Sequence, residues 1–301
     1  MARLLKDVTE FRLVEMARRS FASRDRSVIV SIGDDAAVVR HSPDKYLLYT
    51  ADMLVEGVHF RKQEDPVKVG YKAMAVSVSD IAAMGGVPRF ALVSVGLPKK
   101  NTLKVAGGLF RGIRHCAEAF DIHVIGGDTN RSPHLVIDVC MIGEVRPRHL
   151  VLRSGARAGD FIFVSGPLGG SLKGRHLNFK PRLKESRFLV KNFHVTAMID
   201  ISDGLAMDLA RLSLASRVGA LIFESQIPKS RGSKSVRPAL YDGEDFELLF
   251  TLAPAEARRL LSVRKPRFCF IGRMSDEFGG VRMVRRDGRL EDVRCAGYQH
   301  F

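Results

Sequence analysis

The sequence predicts a two-domain α/β fold, and three observations carry that prediction. Short runs rich in β-branched residues alternate with longer stretches of helical character, the pattern expected of strands interleaved with helices. With 301 residues, 46% of them hydrophobic, the chain is long enough for one large or two medium domains with real cores. Near the middle, Pro147 and the charges of Val145–His149 interrupt the alternation, so the division is expected between residues 1–148 and 149–301.

In chain order, the basic, amphipathic stretch Met1–Arg26 reads as a first helix. Asp7, Glu10 and Glu15 argue against a transit peptide, and the stretch lacks the apolar centre of a signal peptide. Strands are expected at Val28–Ile32, Tyr46–Thr50, Phe90–Leu97, Val124–Ile125 and Leu135–Gly143. Pro66–Met84 reads as a helix that Gly85-Gly86 stops, with Pro88 beyond, and Asn101–Phe120 as a second long helix. Past the boundary come a strand at Phe161–Ser165, a basic segment of poor periodicity, and a helix at Leu205–Ala215. A strand at Ala220–Glu224, a polar loop through Val236, a strand at Glu247–Leu252 and a helix at Pro254–Ser262 follow. Strands at Phe268–Gly272 and Val281–Val284 close the chain, and no internal repeat is present.

The chemistry lies in aspartates set among glycines, alanines and β-branched residues. They are Asp34 and Asp35, Asp52, Asp80, Asp128, Asp200 and Asp203. Acids in such surroundings tend to be half buried, and buried carboxylates must be paired or bind cations. Two bare carboxylates about 5 Å apart repel by roughly 3 kcal/mol at an effective dielectric of about 20. Hard oxygen ligands without a Cys or His cluster favour Mg²⁺, an ion usually shared with substrate phosphates. Asp80 falls in the last turn of its predicted helix, where an acid opposes the helix dipole unless a cation sits against it.

Composition removes several alternatives. Cys116, Cys140, Cys269 and Cys295 form no C-x-x-C, so neither a zinc site nor a disulfide framework is expected, and a reduced, cytoplasmic setting is the simplest reading. No apolar run approaches the roughly 18 residues of a membrane span. The net charge of +15 is concentrated in Lys173–Lys191 and Arg258–Arg294. Neither stretch has the interleaved aromatics of a single-strand binding platform, so a solvated basic surface is expected and nucleic acid is not the expected partner.

No G-x-x-x-x-G-K-[ST] and no G-x-G-x-x-G occur, which excludes a P-loop and leaves a Rossmann site unsupported. An ordered set of acidic motifs occurs instead: Gly33-Asp-Asp-Ala-Ala37, Asp52-Met-Leu-Val-Glu-Gly-Val-His-Phe60, Lys72-Ala-Met-Ala-Val-Ser-Val-Ser-Asp-Ile-Ala-Ala-Met-Gly85 and Gly126-Gly-Asp-Thr129. Arg153-Ser-Gly155, Asp200-Ile-Ser-Asp-Gly-Leu205, Gly243-Glu-Asp-Phe-Glu-Leu248 and the tail Gly297-Tyr-Gln-His-Phe301 complete it. Each motif alone is weak, but in this order they span nearly the whole chain, which resembles the thiamine-monophosphate kinases. The resemblance implies transfer of the γ-phosphoryl of ATP to thiamine monophosphate. It also implies the two-domain aminoimidazole ribonucleotide synthetase-like fold, with mixed sheets packed with helices and a homodimer paired through the N-terminal domains. By position it assigns Asp35, Asp52, Asp80, Asp128, Asp200 and Asp203, assisted by Thr50, to several Mg²⁺ ions. Gly127, Asp128, Arg153 and Ser202 match ATP contacts, and His59, Glu244 and Tyr298 the thiamine-phosphate side.

Plainer readings stand beside these roles. Ser202 or Asp203 can cap the helix from Leu205. Asp34 reads as a turn or pairing residue, His59 as a structural histidine, Arg153 as a clamp on an acid across the domain boundary, and Tyr298 as packing. Ala51 departs from the family's threonine, Asp242 replaces a glycine, and Gly170–Ala197 and Ser225–Ala239 are shorter and more basic than the pattern expects. The rivals are a sister ATP-using activity on the same fold (aminoimidazole ribonucleotide synthetase, hydrogenase-maturation or selenophosphate synthetase type) and a non-catalytic basic paralogue that binds nucleic acid.

Overall fold

The computed structural model describes residues 10–301 except 232, 234, 296 and 298–301. After helix α1 (Glu10–Ser20), the first half runs β1 (Val28–Val30), β2 (Ala37–Ser42), β3 (Lys45–Val55), α2 (Pro66–Ala83), β4 (Val87–Leu97), α3 (Leu103–Phe120), β5 (His123–Arg131) and β6 (Val136–Val145). These strands form a six-stranded sheet in the order β1-β2-β3-β6-β4-β5. All its pairs are antiparallel except β4 with β5, so the sheet is mixed.

The second half contributes β7 (Phe161–Val164), α4 (Leu183–Asn192), β8 (Val195–Asp200), α5 (Leu205–Ser216), β9 (Gly219–Phe223), α6 (Arg237–Tyr241), β10 (Leu248–Leu252), α7 (Pro254–Leu261), β11 (Cys269–Ser275), β12 (Val281–Val284) and β13 (Leu290–Asp292). Its seven-stranded sheet has the order β13-β12-β9-β11-β7-β10-β8 and is also mixed, with β12 parallel to β9. Separate apolar clusters pack on its two sides: Ile162, Val164, Ile199, Leu209 and Ile222 in one, Phe163, Met198, Leu248, Phe250 and Leu260 in the other. Among the described residues, no helix is long and apolar enough to cross a membrane.

The expected elements are present with corrected limits. The strand expected at Tyr46–Thr50 runs on to Val55, so Asp52 lies within a strand. Gly126-Gly-Asp-Thr129 is not a turn after a short strand but part of β5, because β4 offers it a parallel partner along its length. The poorly periodic basic segment holds α4, whose Leu183, Ser186, Leu189 and Val190 form a buried stripe at helical spacing.

Helix α2 is the centre of the molecule. Asp65 accepts a hydrogen bond from the amide of Val67 and Pro66 occupies the first turn, where its missing N–H costs nothing. From Val69 to Ala83 the helix is almost wholly buried, so it carries small residues all round rather than one apolar stripe. One side packs on Leu48, Ile137 and Met141 of the first sheet, and Ala83 joins the core of the second. Ser186 of α4 donates to the carbonyl of Ala82, binding the second half to the end of α2.

Helices α2 and α3 approach closely enough to need glycine. A Cβ on Gly112 would stand 1.9 Å from the carbonyl oxygen of Val67, and one on Gly70 would stand 2.1 Å from that of Leu109. Gly107, also in α3, meets only the end of the Arg111 side chain at 3.6 Å. Gly112→Ala is therefore expected to destabilise by about 2 kcal/mol or more through overpacking, whereas Gly107→Ala gains up to about 1 kcal/mol from helix propensity. Urea midpoints of the two variants measure this; equal midpoints would contradict the close crossing.

Candidate active site

Helix geometry explains how one helix serves both domains. Ser77 and Ser79 are two residues apart, about 200° around α2, so their hydroxyls reach opposite neighbours. Ser77 donates to Asp52 of β3 at 2.7 Å, and Ser79 to Asp200 at the end of β8 at 2.6 Å. Thr50, on the inward face of β3, donates to Asp80 in the last turn of α2. Ala51, the departure from the family pattern, is exposed on the opposite face, so its methyl leaves this contact intact.

Carboxylate oxygens of Asp35, Asp80 and Asp200 lie within 4.8 Å of one another. Arg153 donates to Asp35 Oδ1 through Nη2 at 2.6 Å, while its backbone amide donates to Asp34 at 3.2 Å. Both plain readings, Asp34 as a pairing residue and Arg153 as a clamp across the boundary, describe the contacts seen. Asp35 Oδ2 is buried with no hydrogen-bond partner among the described residues. Burial raises the carboxyls of Asp80 and Asp200 well above the usual carboxylate range, and neighbouring acids push the same way. Asp52 is raised by burial as well. Two acids that resist ionisation, beside a third with an orphaned buried oxygen, fit a divalent cation with hard oxygen ligands, as Mg²⁺ requires.

The other expected residues are distributed around this centre. Asp203 is paired with Arg211 rather than joining the trio. Arg211 also bonds Asp208 at 2.9 Å, a buried acid whose carboxyl is raised to about 7 by burial and by Asp203. Ser202 and Asp203 do not cap α5; Gly204 holds that position and no side chain bonds there. Asp128 is exposed on the edge strand β5 and accepts from the side chain of Asn130 at 2.6 Å, outside the trio. Gly127 and Asp128 instead border a groove of about 310 Å³ between β5 and α3, with Phe110, Ile113 and Val124 as its apolar wall.

His59 and Glu244 are brought together by a residue given no role from the sequence. Lys72 Nζ donates to Glu244 Oε1 at 2.6 Å and to the carbonyl of His59 at 2.8 Å, and His59 Nδ1 accepts from the amide of Val55. Tyr298 lies outside the described residues. The remaining acids of Gly243–Leu248 are clamped: Asp245 by Ser171 and Arg175, Glu247 by Ser165 and by Arg182 at 2.6 Å. The basic segment is thus only partly a solvated surface, since Arg175 and Arg182 neutralise buried acids. Lys72, Ser77 and Ser79 did leave a signal, as polar residues in a helix otherwise built from small apolar ones. Arg175 and Arg182 left none, because an arginine in a basic run gives no sign of a distant acid; Arg211 did leave one, three residues after Asp208 on a helix.

Residues 33–145 match the family described as AIR synthase related protein, N-terminal domain, and residues 157–285 match its C-terminal domain. A thiamine-monophosphate kinase of Rhodopirellula baltica is 40% identical over 249 residues, covering 76% of this chain and 78% of that protein. The thiamine-monophosphate kinase of Aquifex aeolicus is 33% identical, over 99% of each chain. The chain belongs to the thiamine-monophosphate kinase family. Among solved structures, one described as AaThiL complexed with AMPPCP and TMP aligns with a TM-score of 0.88 at 33% identity, over 100% of this chain and 99% of that one. The hydrogenase maturation protein HypE in complex with ATP, at 19% identity and a TM-score of 0.72, shares the fold alone.

The raised acids have a thermodynamic consequence. An acid whose carboxyl is raised on folding binds more protons folded than unfolded between its ordinary value and the raised one, so its contribution to stability falls as pH rises through that window. For Asp34 and Asp208 the window runs from 3.8 to about 7, and for Asp80 and Asp200 it also opens upward. In chelator, Asp80→Asn and Asp200→Asn should therefore melt higher than the wild type, by a margin that grows as pH rises. Mg²⁺ should stabilise the wild type and not the variants. Melting curves in chelator and in Mg²⁺ test both; a margin independent of pH and of Mg²⁺ would refute the metal reading.

Proposed function

We propose that this protein phosphorylates thiamine monophosphate to thiamine diphosphate, using ATP and Mg²⁺, by direct in-line transfer. The observation that supports it best is the convergence of carboxylate oxygens of Asp35, Asp80 and Asp200, with one Asp35 oxygen buried and without a partner among the described residues. It lies in a chain that belongs to the kinase family throughout its length. Phosphoryl transfer asks a protein chiefly to position two polyanions and to neutralise their charge. Asp35, Asp52, Asp80, Asp200 and Asp203, assisted by Thr50, are assigned to the metal, with Asp128 contributing from β5. Bound there, Mg²⁺ would supply charge neutralisation between the phosphates of ATP and that of the acceptor.

The chain's own residues do the rest. Gly127 and Asp128 present the backbone of β5 to the nucleotide, whose base fits the apolar groove against Phe110, with Arg153 and Ser202 on the phosphate side. The acceptor oxygen is already anionic at neutral pH, so no strong general base is required. Glu244 and His59 face the thiamine moiety, and Tyr298 is assigned to rest against one of its rings. On this reading residues 1–148 hold metal and ATP, and residues 149–301 complete the site. The unbridged cysteines suit a reducing cytoplasm.

We also propose a homodimer through the outer face of the first sheet. Tyr49, Met53, Phe90, Leu92 and Ile125 leave apolar side chains exposed on the strands of this sheet, a patch of the kind that marks protein–protein contacts.

Purified protein given ATP, Mg²⁺ and thiamine monophosphate should form thiamine diphosphate, and Asp80→Asn should lower kcat by about 100-fold or more. Good AMPPCP binding without any product would move the assignment to a sister activity. Met53→Glu should turn the dimer into a monomer in light scattering; an unchanged mass would remove that face as the interface.

A further inference from the structure

Lys72 occupies a place where a lysine is costly, with a side chain 1% exposed in the centre of the molecule. Its partners come from two other segments: His59 from the loop after β3, and Glu244 from the loop before β10. The second loop is held in a conformation that side-chain-bearing residues avoid. Gly243, Glu244 and Phe246 have φ of 71°, 54° and 49°. Such backbone persists only where its surroundings over-determine it, and such places cluster at functional sites. Here the amides of Glu244 and Phe246 donate to the carbonyls of Ser202 and Ile201 at 2.6 and 2.8 Å, and the Phe246 ring stacks on Phe179 at 4.1 Å.

The backbone of Glu244 is thus fastened to the turn that follows Asp200, and its side chain to α2. A carboxylate accepts through both oxygens. Lys72 takes Oε1, and among the described residues Oε2 receives no hydrogen bond, while the side chain stays 20% exposed. An ion pair with no task beyond stability is commonly replaceable by apolar residues, so one retained beside an available acceptor calls for another account.

We propose that Lys72 is a positioning residue for the acceptor, holding Glu244 by one oxygen with its second presented to the amino-bearing, cationic rings of thiamine monophosphate. The same ammonium fixes the His59 loop on the other side. The inference rests on the acceptor-side reading of Glu244 and His59 and adds the residue through which the two are coupled. Lys72 acts through Glu244 and on the acceptor, not on ATP.

The test compares wild type, Lys72→Met, Glu244→Gln and the double variant, measuring kcat, KM for thiamine monophosphate, KM for ATP and AMPPCP binding. Lys72→Met should raise the acceptor KM about tenfold or more and change the ATP KM by no more than about twofold. In the Glu244→Gln background, Lys72→Met should add less than about twofold to the acceptor KM, because a neutral amide presents no carboxylate to the cationic acceptor however Lys72 holds it. An acceptor KM unmoved by Lys72→Met, equal damage to both substrates, or additive effects in the double variant would each overturn the proposal. Should Lys72→Met fail to fold, the double variant buries no unpaired charge, and its comparison with Glu244→Gln decides alone. A wild type that binds AMPPCP but makes no thiamine diphosphate would sink the functional reading; an active wild type with an indifferent Lys72 would sink only this inference.

Discussion

Carboxylates gathered in a dry interior repel one another and resist losing water, and the architecture around α2 is arranged to bear that cost. Asp35, Asp80 and Asp200 come from a loop, a helix end and a strand end, and no short stretch of chain holds them together. Each has a donor: Arg153 for Asp35, Thr50 for Asp80 and Ser79 for Asp200. Those donors neutralise the group only in part, and on the proposed reading a cation supplies the rest. A helix able to reach both sheets must be buried all round, and so α2 is built from small residues and two aimed hydroxyls.

The same constraint extends into the second half of the chain. Asp245 and Glu247 are buried, and burial raises the carboxyl of Asp245. Arg175 and Arg182, from the segment before and at the start of α4, are drawn in to pair with them. Lys72 does the same for Glu244 from the first half. Basic residues that count toward the net charge of +15 thus serve as internal counter-ions to the loop beside the site. Buried pairs of this kind add little net stability, but removing one partner is severe because it strands the other. They tie down a loop that is left-handed at Glu244 and Phe246 and that backbone hydrogen bonds also hold.

Much of this was legible beforehand. Pro66 at the start and the Gly85-Gly86 stop located α2 to within a residue at each end. The aspartates announced themselves through their neighbours, since an acid between β-branched residues and glycines has few places to go except a half-buried site. Family membership followed from the order of the motifs over the whole chain. Strand limits were less legible, because a partner strand, not local preference, keeps β5 extended through Gly126-Gly-Asp-Thr129.

The sequence by itself determined the alternation of elements and the setting of the acids among small and apolar residues, because these depend on local composition and on periods of two and 3.6 residues. Only the tertiary structure decided which acids meet. It put Asp35, Asp80 and Asp200 together, gave Asp203 to Arg211 and left Asp128 on an exposed edge. It also chose Arg175 and Arg182 from among many basic residues as partners for buried acids, and Lys72 as the partner of the half-buried Glu244. Pairing of charges depends on distance through space, and these partners, 65 to 172 positions apart in the chain, become neighbours only in the folded structure.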